Sequence, residues 1–226
     1  MRRPELPTRL DINSDQFRAN RESLLAQLDQ LNEMLEKSRA GGGEKYVTRH
    51  HKRGKLLLRE RIELLLDRDS PFLEISPIAA AESEYEVGGG NVCGIGVVSG
   101  VECMVSGNDP TVRGGTINPY SVKKTLRAFD ICEENRLPHV TLVESGGADL
   151  PRQSEIFIPG GATFRRLTEL SKAGVPTVAL VFGNSTAGGA YMPAMCDYSV
   201  FVKGGAKVFL GGPPLVKMAT GEESTD

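Results

Sequence analysis

The residues of this chain best suited to chemistry are mostly not ionisable. They lie in Phe182-Gly-Asn-Ser-Thr-Ala-Gly-Gly-Ala-Tyr-Met-Pro-Ala-Met195. The apolar run before them, Pro176 to Phe182, reads as a buried strand, and the apolar segment after them can start a helix. Gly188 and Gly189 stand at the junction. A strand that turns through glycines into a helix leaves the first N–H groups of that helix without intrahelical acceptors. Such donors suit an oxygen that gains negative charge during a reaction. The chemistry indicated is chemistry at a carbonyl.

Three readings of Gly183 to Gly189 are open. In a nucleophile elbow Ser185 would attack, since Gly183-x-Ser185-x-Ala187 follows a strand; but no histidine follows His139, and the closing glycine is missing. A structural reading uses the glycines for close packing of a helix on a sheet. An oxyanion hole would use the N–H groups of Gly188 and Gly189, with Ala148 contributing from Ser145-Gly-Gly-Ala-Asp-Leu150. Two such turns after successive strands favour the last reading. Glu144 and Asp149 lie close by in sequence and read as structural rather than catalytic. Arg113, Lys123, Lys124 and Arg127 could approach phosphates, or form a solvated helix face.

The positioning elements can be read along the chain. Asn13 or Ser14 can cap a helix that carries Phe17, Leu24, Leu28, Leu31 and Leu35 on one side, and Gly41-Gly42-Gly43 ends it. That stripe is either intramolecular packing or a subunit contact. The basic run Arg49 to Lys55 reads as a solvated loop leading into a second helix, Leu56 to Leu66. Asn91 to Ser99 and Glu102 to Ser106 form a hairpin signal. Gly94, Gly96 and Gly100 do not have dinucleotide-fingerprint spacing, and a strand follows where that motif needs a helix. Asn118-Pro119 starts a helix, Val140 to Glu144 is a buried strand, and a further helix spans about Ala162 to Ala173. Tyr198 to Val202 and Val208 to Leu210 read as a pair of strands around Gly204-Gly205, ended by Gly211-Gly-Pro-Pro214. Repeated strand, turn and helix units indicate an α/β core.

Composition excludes several classes. A chain of 226 residues can bury a sizeable core, and a formal net charge of −2 argues against a dedicated nucleic-acid binder. No apolar run has the length of a membrane span. Met1-Arg-Arg-Pro-Glu-Leu-Pro7 lacks a signal-peptide core, and Glu5, Asp11 and Asp15 are unlike a mitochondrial import sequence. A cytoplasmic protein that does not engage a membrane is expected. Cys93, Cys103, Cys132 and Cys196 form no CxxC pair, and His50, His51 and His139 complete no metal-ligand spacing, so buried thiols and no metal are expected.

From about Arg49 to its end the chain resembles the carboxyltransferase (β) subunit of biotin-dependent acyl-CoA carboxylases. The motifs are Arg53-Gly-Lys-Leu-Leu-Leu-Arg-Glu-Arg-Ile62, Gly94-Ile-Gly-Val-Val-Ser-Gly100, Asn108-Asp109, Ser145-Gly-Gly-Ala-Asp-Leu-Pro-Arg-Gln153, Thr186-Ala-Gly-Gly-Ala-Tyr-Met-Pro-Ala194, Phe209-Leu-Gly-Gly-Pro-Pro-Leu-Val-Lys217 and Thr220-Gly-Glu-Glu223. Arg113-Gly-Gly-Thr116, Leu-Pro-Arg-Gln and Gly-Gly-Pro-Pro look most like the methylcrotonyl-CoA type; Leu58 departs from the proline often found in relatives. The resemblance implies an incomplete crotonase-like spiral of ββα units at 81–226, preceded by a helical arm and lead-in at 1–80. It implies an oxyanion hole from Gly188, Gly189 and Ala148, and substrate binding by Gly146, Gly147, Ala187 and Ala190. It further implies an acyl-CoA substrate, with coenzyme A entering as part of it, and carboxybiotin carried on a partner (α) subunit. A homo-oligomer or a complementing C-terminal half is expected, because the family's carboxybiotin half has no counterpart before Asp226. The alternatives are a crotonase-fold hydratase or isomerase, and a non-catalytic acyl-CoA-binding subunit.

Overall fold

The computed structural model describes residues 7–223; the start Met1 to Leu6, on which part of the targeting argument rests, lies outside them. Helix α1, Asp15–Arg39, is capped by Ser14, whose Oγ accepts the Phe17 N–H. Among the described residues most of its leucine stripe is uncovered: Leu24, Leu28 and Leu31 are exposed, Phe17 and Leu35 are half-buried, and Ser38, near the C-terminal end, is the helix's buried residue. Helix α2, Glu44–Lys52, restarts after Gly43, which sits at a φ of 86°. This corrects the expected solvated loop. The basic run is helical as far as Lys52, and His50 is buried, with Nε2 3.2 Å from the Leu56 carbonyl oxygen. Helix α3, Leu58–Leu65, starts where Glu60 accepts the Leu57 N–H, and it buries Leu58 and Ile62.

Among the described residues seven strands make one sheet: β1 Leu73–Glu74, β2 Asn91–Val98, β3 Val101–Asn108, β4 His139–Ser145, β5 Thr177–Thr186, β6 Tyr198–Phe201 and β7 Lys207–Phe209. The β2–β3 hairpin turns on Ser99 and Gly100, both at positive φ, and pairs Asn91 with Asn108 through to Val98 with Val101. From β3 onward the pairings are parallel, through β4 and β5 to β6. Helix α4, Pro119–Asn135, connects β3 to β4, and α5, Gln153–Lys172, connects β4 to β5. Helix α6, Gly188–Met195, connects β5 to β6, and α7, Pro213–Thr220, closes the order.

Strand alternation divides the core into two layers. Cys93, Met104, Phe129, Cys132, Leu167 and Leu170 pack between the sheet and helices α4 and α5. Leu58 and Ile62 of α3 pack with Val92, Val105, Val140 and Leu142 on the other face. Residues of the lead-in between Leu58 and Ile75 thus join the two core clusters, while no described residue of α1 does.

Three further expectations change. Helix α5 begins nine residues before Ala162, because Pro159, Gly160 and Gly161 are accommodated inside it. Strands β6 and β7 do not pair with each other. Both run parallel to β5 at different heights, β6 beside Val178 to Val181 and β7 beside Asn184 to Thr186. Lys124 is not on a solvated face: it is buried in α4 and donates to the carbonyl oxygens of Gly88 and Asn91 at 3.1 and 2.8 Å.

Candidate functional site

Strand β5 runs straight into α6 through Ala187, a non-glycine residue held at φ 48° and ψ −120°. Its N–H donates to the Phe209 carbonyl oxygen at 2.9 Å, which ties this bend to β7. Gly188 and Gly189 are the first two residues of α6, so neither N–H has an intrahelical acceptor. Among the described residues neither has any other acceptor, whereas the next amide, Ala190, donates to the Ala187 carbonyl oxygen at 2.9 Å. Ser185 is fully buried and donates through Oγ to the Gly189 carbonyl oxygen at 3.1 Å. It fixes the turn and is not an exposed nucleophile.

Strand β4 ends at Ser145 and opens into the first glycine turn. Ala148 forms a parallel bridge with Ile117. Its two bonds are Ile117 N–H to the Gly147 carbonyl oxygen at 2.7 Å and Asp149 N–H to the Ile117 carbonyl oxygen at 2.9 Å. Successive amides of an extended segment point in opposite directions. The Ala148 N–H therefore points away from Ile117, and no described residue accepts it.

Both turns open on one cavity of about 440 Å³. Ala148, Ala187, Gly188 and Gly189 line it. Gly146, Gly147 and Ala190, expected in the substrate set, are not among the lining residues but adjoin them in sequence. Gly147 is occupied on both sides, donating to Ser145 Oγ at 3.2 Å and accepting from Ile117. Gly146 lies against the Gly114 carbonyl oxygen and Thr116 Oγ1, and Ala190 is one residue further into α6. Its apolar lining includes Ile117, Val122, Val143, Ile156, Phe157, Phe164 and Met192. Asn91, Ser106, Asn108, Thr125 and Thr141 add neutral polar groups; the lining contains no ionisable side chain. Asp149 is turned out of it, with its carboxylate 3.8 Å from the Arg113 guanidinium.

The charge lies behind the wall. Glu144 is buried, and its two carboxylate oxygens accept from Lys55 at 2.5 Å and from Arg61 at 2.8 Å. Arg61 stacks 4.5 Å from the centre of the Phe182 ring. Burial pushes the Glu144 carboxyl up, but the hydrogen bonds from Lys55 and Arg61 outweigh it and hold the group below its usual range. Both carboxylate oxygens are thus engaged by cations, in keeping with the structural reading of Glu144. A Cβ on Gly183 would stand 2.6 Å from this carboxyl, so only glycine leaves the carboxylate its place. Burial raises the Cys132 thiol to about 12 and the Cys196 thiol to about 11, away from the thiolate form.

Sequence reading missed the α5 wall: Ile156, Phe157, Gly160, Gly161 and Phe164 line the cavity. The available signal was the apolar Ile156 to Ile158, which Pro159 and the glycine pair hid by suggesting a loop. Among the described residues no group of histidine, cysteine and carboxylate side chains could hold a metal ion, and no helix is long and apolar enough to cross a membrane.

Residues 49–226 match the Carboxyl transferase domain family. The chain is 62% identical over 221 residues to a probable biotin-dependent acyl-coenzyme A carboxylase beta2 subunit of Mycobacterium tuberculosis, covering 98% of this chain and 42% of that one. It is 50% identical over 219 residues to the mitochondrial methylcrotonoyl-CoA carboxylase beta chain of Dictyostelium discoideum, covering 94% of this chain and 37% of the relative. The crystal structure of the P. aeruginosa geranyl-CoA carboxylase beta subunit superposes with a TM-score of 0.89 at 44% identity, covering 99% of this chain and 42% of that one. The chain thus spans about two fifths of the length of the proteins it matches.

Proposed function

Because this chain belongs to the carboxyl transferase domain family, we propose that it supplies the acyl-CoA half of the carboxyltransferase of a biotin-dependent acyl-CoA carboxylase. In this reading residues 81–226 are the crotonase-like part and residues 1–80 the arm and lead-in. One observation carries the proposal: among the described residues, a cavity with three main-chain donors that find no acceptor, at Ala148, Gly188 and Gly189, has no ionisable side chain in its lining.

The acyl-CoA thioester oxygen sits against those amides. As the acidified carbon beside it, or its vinylogous position, loses a proton, charge moves onto that oxygen. Each donor then stabilises the enolate by about 3 kcal/mol. The amides are rigid, held by the Ile117 bridge in one turn and by Ser185 and Phe209 in the other, so little reorganisation is needed. The lining offers no base, so the proton acceptor comes with the second substrate. Carboxybiotin, borne by a partner subunit, supplies both the carboxyl group and that acceptor. The apolar walls suit a branched, unsaturated acyl group, which favours 3-methylcrotonyl-CoA over propionyl- or acetyl-CoA. A hydratase or isomerase would need a carboxylate in the cavity, and Asp149 and Glu144 are both committed elsewhere.

The test combines this chain with a complementing carboxybiotin half, a biotin-carrying subunit, ATP and labelled bicarbonate. Acid-stable label in the CoA ester should require this chain, and the chain with free carboxybiotin alone should yield none. Hydration of crotonyl-CoA by the purified chain would overturn the proposal.

A further inference from the structure

Resting on that reading, we propose that the Ser145 hydroxyl is a further donor to the thioester oxygen, standing between the two amide turns. Thr141, Val143 and Ser145 alternate along β4 and all line the cavity, so the Ser145 side chain is on the cavity face, while Glu144 points to the ion cluster on the other. The residue is 2% exposed. Its Oγ accepts the Gly147 N–H at 3.2 Å, and it lies 3.0 Å from the point where a Cβ on Gly189 would stand. The hydroxyl is thus bonded to the first turn and wedged against the second.

A hydroxyl has one proton and two lone pairs. Gly147 uses a lone pair, and no described residue accepts the proton. A buried hydroxyl proton without an acceptor is rare in folded proteins. Ser145 lines the same cavity as Ala148, Gly188 and Gly189, so an acceptor oxygen held by those amides would share that space with the hydroxyl. Ser185, opposite Ser145 in the β4–β5 register, shows the contrast, because its proton is already given to the Gly189 carbonyl oxygen. As a neutral donor Ser145 strengthens the hole without bringing in a charge.

The test is calorimetry on the full 226-residue chain with butyryl-CoA and with S-butyl-CoA, the thioether that lacks the carbonyl oxygen. Wild type should prefer the thioester. Ser145→Ala should weaken thioester binding by ~5-fold and leave the thioether within about twofold, while Ser145→Thr should restore the preference. If Ser145→Ala does not fold, Ser145→Cys, with a weaker donor in a similar volume, should show the same selective loss. An intact thioester preference in the variant, or equal weakening of both ligands, would overturn the role of Ser145 alone. A wild-type chain with no preference for the thioester would overturn the oxyanion reading itself, and this role with it.

Discussion

His139 is a buried titratable residue of the core. It is fully buried, edge-on to Phe129 at 5.0 Å, with Nε2 2.8 Å from Ser106 Oγ. Burial lowers its pKa from 6.5 to about 4. The folded state therefore holds the ring neutral where the unfolded chain would take up a proton. Its contribution to stability is complete above pH 6.5 and falls as pH drops toward about 4. Urea midpoints should decline over that interval, and His139→Gln should flatten the decline; an unchanged slope would count against the neutral buried ring. The same scale holds a backbone prediction. A Cβ on Gly115, itself at φ 72°, would fall on the Glu144 carbonyl oxygen. Gly115→Ala should cost about 2–3 kcal/mol, since neither partner can move aside. Thermal or urea unfolding of the variant checks this.

Between elements, the decisive feature is the irregularity where β4 meets β5. Val143 pairs with Val181, but Ser145 pairs with Ser185, so three residues of β5 stand opposite Glu144 alone. This offset brings Ser185 level with Ser145 and sets the two amide turns on one cavity. Lys55, Arg61 and Glu144 fill the space beside the bulge, across Gly183. Glu144→Gln should destabilise the chain by about 3 kcal/mol, because Arg61 would keep a buried charge without its partner. The sign with pH follows from the depressed carboxyl: its contribution is present above the usual carboxylate range and is lost as pH falls through the lowered value. Equal stability of the variant and wild type at neutral pH would remove the cluster from this role. The bulge could not be seen in sequence: the apolar run ends at Phe182, whereas β5 continues through Gly183 and Asn184 to Thr186.

At the scale of the whole molecule, α1 is an appendage. Its leucines face outward, and its last turn is held by Ser38, whose Oγ lies 3.5 Å from Arg59. The double change Leu24→Glu with Leu28→Glu should leave the chain's unfolding free energy within about 0.5 kcal/mol, measured by urea denaturation. A larger loss would mean that the stripe is covered in solution. The strand alternation of β2 to β5, the caps at Ser14 and Asn118, and the glycine pairs at both turns were determined by the sequence alone, because each depends on neighbours within a few residues. Only the tertiary structure decided that Ala148, Gly188 and Gly189 share a cavity, and that the first half of α5, before Ala162, forms part of its wall. Those outcomes depend on the offset between β4 and β5 and on which side each amide faces, quantities set by pairing between residues some 40 positions apart, which local pattern does not encode.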